Sequence, residues 1–294
     1  MSSRQIRAQS AMEYLMTYGW AILIIAVVLG ALFELGIFNT TGPRASPGSC
    51  EIYRPYGPGT GAGVSLAGQC NGELPQSVAS FDNPLYANQL GSDILVPDLS
   101  YYISPLTITG WVYIPTLSYG SYLLARTGCC SITDLRVNGL GQVSMHVAAY
   151  SGGVSLTETP DSVSAGRWTF IAGTYDGTTL TLYVNGASVA TTTGTVTSYG
   201  DSATNEWKIG YSYTGTEAFN GSIANVQIYN TSLSASEILG LYQEGIGGAP
   251  VRPQNILGWW PLNGNANDYS GNNYNGQTNK VVFTGSWGNG YTSP

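Results

Sequence analysis

Arg167 to Thr193 reads RWTFIAGTYDGTTLTLYVNGASVATTT. Apolar and polar residues alternate along three segments of it, the period of a strand with one buried face. Asp176-Gly177 and Asn185-Gly186 separate the segments. Both dipeptides accept the positive φ that tight hairpin turns require. The stretch predicts an antiparallel meander of three strands.

Similar segments lie on both sides. LTITGWVYIP (106–115), SYLLAR (121–126) and QVSMHVAAY (142–150) precede the meander, while WKIGYSY (207–213) and SIANVQIYN (222–230) follow it. SLSASEILGLYQEG then changes the period. Ser234 and Glu237, three residues apart, form a capping box that predicts a short helix, which Gly245 would end.

This order resembles the laminin-G-like, or concanavalin A-like, jelly roll over about residues 78 to 247. LTITGWVYIP, RWTFIAGTYDGTTLTLYVNGASVA and FNGSIANVQIYNTSLSASEILGLYQEG carry the resemblance. It implies a mainly β fold, an antiparallel jelly-roll β-sandwich, for a head at residues 78–290. ILGWWPLNGNANDYSGNNYNGQ (256–277) resembles the opening strand and loop of such a domain, displaced to its end. Two readings stand: a permuted domain closed by residues 256–290, or a truncated second copy. A truncated copy would leave sheet edges and the Trp259-Trp260 pair exposed.

Composition agrees with an exported β protein. Charged residues make up only 9 % of the 294, and 21 Tyr, 7 Trp, Gly, Ser, Thr and Asn replace them. These are strand and turn formers. A net charge of −7 with no basic stripe argues against nucleic acid.

The N-terminal region, RAQSAMEYLMTYGWAILIIAVVLGALFELGIF from Arg7 to Phe38, predicts a long hydrophobic α-helix. Its apolar run is at the low end of what spans a bilayer. A helix from Met12 to Phe38 would be roughly 40 Å long. Arg4 and Arg7 keep the near end cytoplasmic and place the head outside. Glu13 at the mouth of an apolar helix is costly in lipid and needs a partner. The basic leader, Ala8 and then Gln9-Ser10-Ala11-Met12-Glu13-Tyr14-Leu15 resemble the class III signal peptide of archaeal type IV pilins and flagellins. The resemblance implies a leader at 1–8, cleavage between Ala8 and Gln9 by a prepilin peptidase-like enzyme, and a pilin-type helix at 9–38. It further implies that Glu13 pairs with the new α-amino group of a neighbouring subunit, in a homo-oligomeric filament.

Residues 39–77 read as a Gly/Pro-rich linker without period, bracketed by Cys50 and Cys70. With Cys129 and Cys130, three pairings are open. Cys50 with Cys70 is preferred; the alternative joins both to the vicinal pair. Asn39, Asn220 and Asn230 fit the N-glycosylation pattern. Calcium is the candidate cofactor, with Asp268 and Asn265 in the Asn-rich 263–268 turn as candidate oxygen ligands. His146 reads as an ordinary strand residue. A glycosidase needs two carboxylates across a groove, often set on one strand face; no strand here carries such a pair, so no catalytic residues and no enzyme are expected.

The expected function is a pilin-like surface protein at the cell membrane, a filament subunit or adhesin, with a head that binds glycans. The alternatives are a membrane-anchored lectin that does not polymerise and a secreted hydrolase. Mass spectrometry of the mature chain tests the processing step: the N-terminus is expected at Gln9, and a retained leader removes the amine that Glu13 needs.

Overall fold

The computed structural model describes residues 22–29, 49–52, 64–67, 74–82, 91–99, 104–117, 120–127, 133–147, 154–157, 162–196, 206–211 and 219–294. The chain divides into two compact units, Met1–Ser46 and Pro47–Pro294. In the first, residues 22–29 form a helix (α1). The rest of the expected 9–38 helix lies outside the described residues, as do Ala8, Gln9, Glu13, Asn39, Cys70, Cys129 and Cys130.

In the second unit, strands numbered in chain order form three antiparallel sheets. β1 (Ser49–Ile52) and β2 (Val64–Ala67) make a two-stranded ribbon where the sequence reads as irregular linker. Cys50 lies in β1, but the cysteine pairing falls outside the described residues.

The other two sheets face each other. One runs β12 (Ala187–Thr193), β11 (Thr179–Val184), β10 (Trp168–Tyr175), β5 (Leu106–Tyr113), β14 (Gly221–Tyr229), β3 (Val78–Phe81), β17 (Val282–Thr284), with β15 (Ile256–Trp260) also on β14. The second runs β16 (Gln277–Asn279), β4 (Asp93–Val96), β13 (Glu206–Ile209), β6 (Ser121–Thr127), β7 (Thr133–Val137), β8 (Val143–Val147), β9 (Val154–Thr157). The tail therefore supplies strands to both sheets.

The meander forms β10, β11 and β12. Asn185 and Gly186 take φ of 48° and 78°, the left-handed pair of a tight hairpin. At the preceding turn the backbone N–H groups of Thr179 and Thr178 donate to Asp176 Oδ1 at 2.7 and 2.8 Å. These bonds hold its carboxyl below the usual carboxylate range.

Alternation predicts one buried face for β10, yet every residue of it is buried. The reason is a third layer. On one face Ile171 and Tyr175 join Ile94, Leu124, Met145 and Trp207 in the core between the sheets. On the other, Trp168, Phe170 and Ala172 lie under α2 (Ala235–Gln243) and the C-terminal tail. The Ser234–Glu237 capping box is present. Partial burial raises the Glu237 carboxyl, but hydrogen bonds from the Ser234 N–H and Arg252 outweigh it and hold the group low.

Trp259 and Trp260 show how the tail is bound. Adjacent residues of a strand point to opposite faces. Trp260 fills the inter-sheet core and Trp259 the outer core, both fully buried. Their indole N–H groups donate to Tyr274 O and Asn225 Oδ1 at 2.9 and 2.8 Å. Further along, Trp287 closes the outer core. It donates to Pro75 O, and its own carbonyl accepts from Trp168 Nε1, both at 2.9 Å.

Trp287→Ala is therefore expected to cost about 3–5 kcal/mol of stability, as for other buried Trp truncations. Urea denaturation of the head measures it.

Candidate functional site

Because α2 and the tail cover the eight-stranded sheet, the outer face of the seven-stranded sheet is where polar side chains gather. Register sorts them into two rows across the strands. The first runs Gln277, Leu95, Lys208, Ala125, Asp134, His146. In the second, Asn279 faces Asp93 across β16 and β4, and Tyr122, Arg136 and Ser144 align across β6, β7 and β8. The intervening residues, among them Ile94, Trp207, Leu135 and Met145, point into the core. A register irregularity between Tyr122 and Leu124 lets Leu123 and Leu124 both enter that core. Past it, Ala125 returns to the polar face, opposite Asp134.

At the β16–β4–β13 end lies a cleft of about 270 Å³, lined by Asp93, Glu206, Lys208, Tyr211, Gln277 and Asn279 among others. The Asp93 side chain is only 7 % exposed. Lys208 Nζ stands 2.9 Å from its Oδ2, and Asn279 Nδ2 donates to its Oδ1 at 2.8 Å. Lys208 Nζ also sits 5.0 Å from the centre of the Tyr211 ring, a cation–π contact. The cleft thus combines fixed donors, fixed acceptors and one aromatic face. A partly desolvated ion pair adds little net stability.

The β7–β8 end holds a second group. The Asp134 side chain is fully buried, and His146 Nδ1 lies 3.1 Å from both of its oxygens. Arg136 donates through Nε to Ser144 Oγ at 3.0 Å and through Nη1 to Tyr122 Oη at 2.6 Å. His146 lies in β8, a strand residue as the sequence predicts, with Asp134 as its partner across the sheet. TDLRV and VSMHV carried the signal, with polar residues two apart on facing strands. Glu206 begins β13, one residue ahead of the WKIGYSY segment.

The residues expected to hold calcium, Asp268 and Asn265, are engaged by donors within the protein. Asp268 Oδ1 accepts from Trp259 N and Ser270 N, and Oδ2 from Ser270 Oγ and Tyr274 N, at 2.8–3.0 Å. Four donors use the carboxylate's acceptor capacity inside its own loop. Asn265 Oδ1 accepts from Asn267 N, and its Nδ2 donates to Tyr269 Oη. This donor set does not fit the ion. Among the described residues no three His, Cys, Asp or Glu side chains gather at one point. Asn220 is half-buried just ahead of β14, and Asn230 Oδ1 accepts from Asn255 Nδ2 at 3.0 Å.

Residues 88–239, just over half the chain, match the family model of the concanavalin A-like lectin/glucanases superfamily (Laminin_G_3). The chain belongs to this superfamily. Solved structures align with the chain at low identity. A Bacteroides ovatus protein provisionally assigned to carbohydrate binding aligns with a TM-score of 0.54 at 17 % identity, over 72 % of this chain and 60 % of that one. This chain therefore spans about 60 % of that protein's length. The heptameric SAP-like pentraxin of Limulus polyphemus gives 0.47 at 12 % identity, over 72 % of this chain and 96 % of its own. Mouse laminin α1 domains LG4-5 give 0.42 at 18 %, over 60 % and 46 %. No curated protein matches the chain.

A double-mutant cycle on Asp93→Asn and Lys208→Met is expected to show a coupling of about 1–2 kcal/mol in urea unfolding. Additive effects would mean that the pair is not formed.

Proposed function

We propose that this chain is a pilin-like cell-surface protein whose sandwich head binds glycans at the β16–β4–β13 cleft. The Asp93–Lys208–Asn279 group beside Tyr211 carries the reading. Sugars present hydroxyls that both donate and accept, and apolar C–H faces that rest on aromatic rings. A carboxylate, an ammonium, two amides and a Tyr ring in one cleft meet all three demands. The same chemistry is poorly suited to an apolar ligand. The name of the Bacteroides ovatus protein is in keeping with this reading.

The anchoring half rests on α1. Ile22, Leu23, Ile24, Ile25, Val27, Val28 and Leu29 are all exposed, so the helix is apolar on every side. Such a helix belongs among lipid tails or other apolar helices. Among the described residues no helix is long and apolar enough to cross a membrane. The proposal therefore relies on the wider 9–38 segment. In it, removal of residues 1–8 frees the Gln9 amine for Glu13 of a neighbour, and the helices assemble into a filament core with the heads outside. The role is binding, with no catalytic step.

The test is a glycan array followed by calorimetry on the secreted head. Lys208→Ala and Tyr211→Ala are each expected to weaken the best-bound glycan about tenfold, the worth of one charged hydrogen bond or stacking contact. Binding should persist in chelator, because Lys208 Nζ already occupies the cation position beside Asp93. Unchanged affinity in both variants contradicts the assignment of the cleft.

A further inference from the structure

Seven Asn-Gly dipeptides punctuate the sequence. In water this pair carries its own chemistry. The glycine nitrogen attacks the carbonyl carbon of the asparagine side chain, with no Cβ beside it to block the approach. Ammonia leaves and a five-membered succinimide closes. Water then opens the ring. Opening at the side-chain carbonyl gives aspartate. Opening at the backbone carbonyl gives isoaspartate, whose main chain runs through the side chain and is one carbon longer. Water is the only co-reactant. The fold decides which pair can bend to the attack, since the side chain and the glycine nitrogen must both move.

Six of the seven lie among the described residues, and five of these are held. Asn138 Oδ1 accepts from the N–H groups of Leu140 and Gln142 at 2.9 and 3.0 Å. Asn185 Oδ1 accepts from Phe170 N, Asn263 Oδ1 from Ser77 N and Asn275 Oδ1 from Asp268 N, at 2.9–3.1 Å. In the last pair the nucleophile is tied as well, because Gly276 N donates to Ala266 O at 2.8 Å. Asn220 is held by its neighbour. Gly221 opens β14 between β3 and β5, and a Cβ there would stand 2.1 Å from Tyr113 O, so its backbone has no room to turn.

Asn289 differs from all five. It is exposed between exposed Gly288 and Gly290, and its side chain makes no hydrogen bond among the described residues. A Cβ on Gly288 would meet nothing within 4 Å. The turn around it closes on a long bond, from Tyr291 N to Gly288 O at 3.3 Å. The residues just beyond are fastened to the head. Gly290 O accepts from Trp168 N at 2.9 Å. Tyr291 Oη accepts from Ile246 N at 3.3 Å, and its ring lies 5.6 and 5.8 Å from those of Trp111 and Trp287.

We propose that Asn289 is a site of self-modification: it converts to isoaspartate and unfastens the end of the tail from the outer core. The added carbon lengthens the link to Gly290 by about 1.5 Å. A hydrogen bond does not survive a displacement of that size, so Gly290 O leaves Trp168 N and Tyr291 is drawn off its aromatic neighbours. The freed α-carboxylate also adds a negative charge at the turn. Trp287 precedes the altered link and keeps its bonds to Pro75 and Trp168. The head therefore loosens at one end without unfolding, and the fastening records the age of the molecule.

The experiment ages the freshly purified full chain at mildly alkaline pH, where the glycine N–H loses its proton more readily. Peptide mapping by mass spectrometry follows each Asn-Gly pair, and isoaspartyl methyltransferase marks the isoaspartate. Asn289 is expected to convert about tenfold faster than the five held asparagines, the worth of one hydrogen bond that need not be broken first. Chains carrying isoaspartate at 289, separated by ion exchange, should show a lower urea midpoint and stronger covalent labelling of Tyr291 than fresh chains. Asn289→Gln closes the larger ring far more slowly and should age without either change. Asn289→Asp carries the charge without the extra carbon, so when freshly made it should keep the wild-type midpoint. Conversion of a held asparagine at the same rate as Asn289, or ahead of it, overturns the site. Isoaspartate at 289 with the midpoint and Tyr291 labelling of the fresh protein overturns the unfastening.

Discussion

Burial of the second face of the eight-stranded sheet is the constraint on which the head depends. Trp168 donates its indole N–H to the carbonyl of Trp287, and Trp287 donates to the carbonyl of Pro75. Two hydrogen bonds thus join β10, the C-terminal tail and the segment entering β3. Around them Trp111, Phe170, Tyr242 and Tyr291 meet at centroid distances of 5.6–6.1 Å. Aromatic contacts of this kind add to simple area burial. With that face closed, the polar side chains of the sandwich gather on the seven-stranded sheet.

Polar residues cannot sit on a sheet face at random. A slip of one residue would turn Lys208, Asp134 and His146 into the core and Trp207, Leu135 and Met145 out of it. The inter-sheet core therefore fixes the polar rows. The register irregularity in β6 matters for the same reason, since Ala125 would otherwise not face Asp134. Core packing and the placement of the polar rows are one arrangement seen from two sides.

Much of the fold was legible. The meander, its two Gly turns and the capping box rest on interactions within a few residues, and sequence patterns record such interactions directly. The superfamily follows from the order of those pieces. Other features were hidden for stated reasons. β10 alternates in sequence but is buried on both faces, because the cover comes from residues more than sixty positions later. The 49–67 ribbon is not legible because Gly and Pro surround two strands of four residues each. The cleft is assembled from β4, β13 and β16, which span 93–279 in the chain, and no local pattern announces such a meeting. Asp134 and His146 were nearer to hand, twelve residues apart on adjacent strands. Their pairing is not legible because no pattern long enough to read in the sequence marks β7, the strand that carries Asp134.

Covalent footprinting of the head with and without its best-bound glycan asks most directly which face does the binding. The account predicts that the sugar shields Tyr211 and Lys208 from modification, while Tyr242 and Tyr291 react as before. Shielding at Tyr242 and Tyr291, with Tyr211 and Lys208 unchanged, would place the ligand on the opposite side of the sandwich and contradict it.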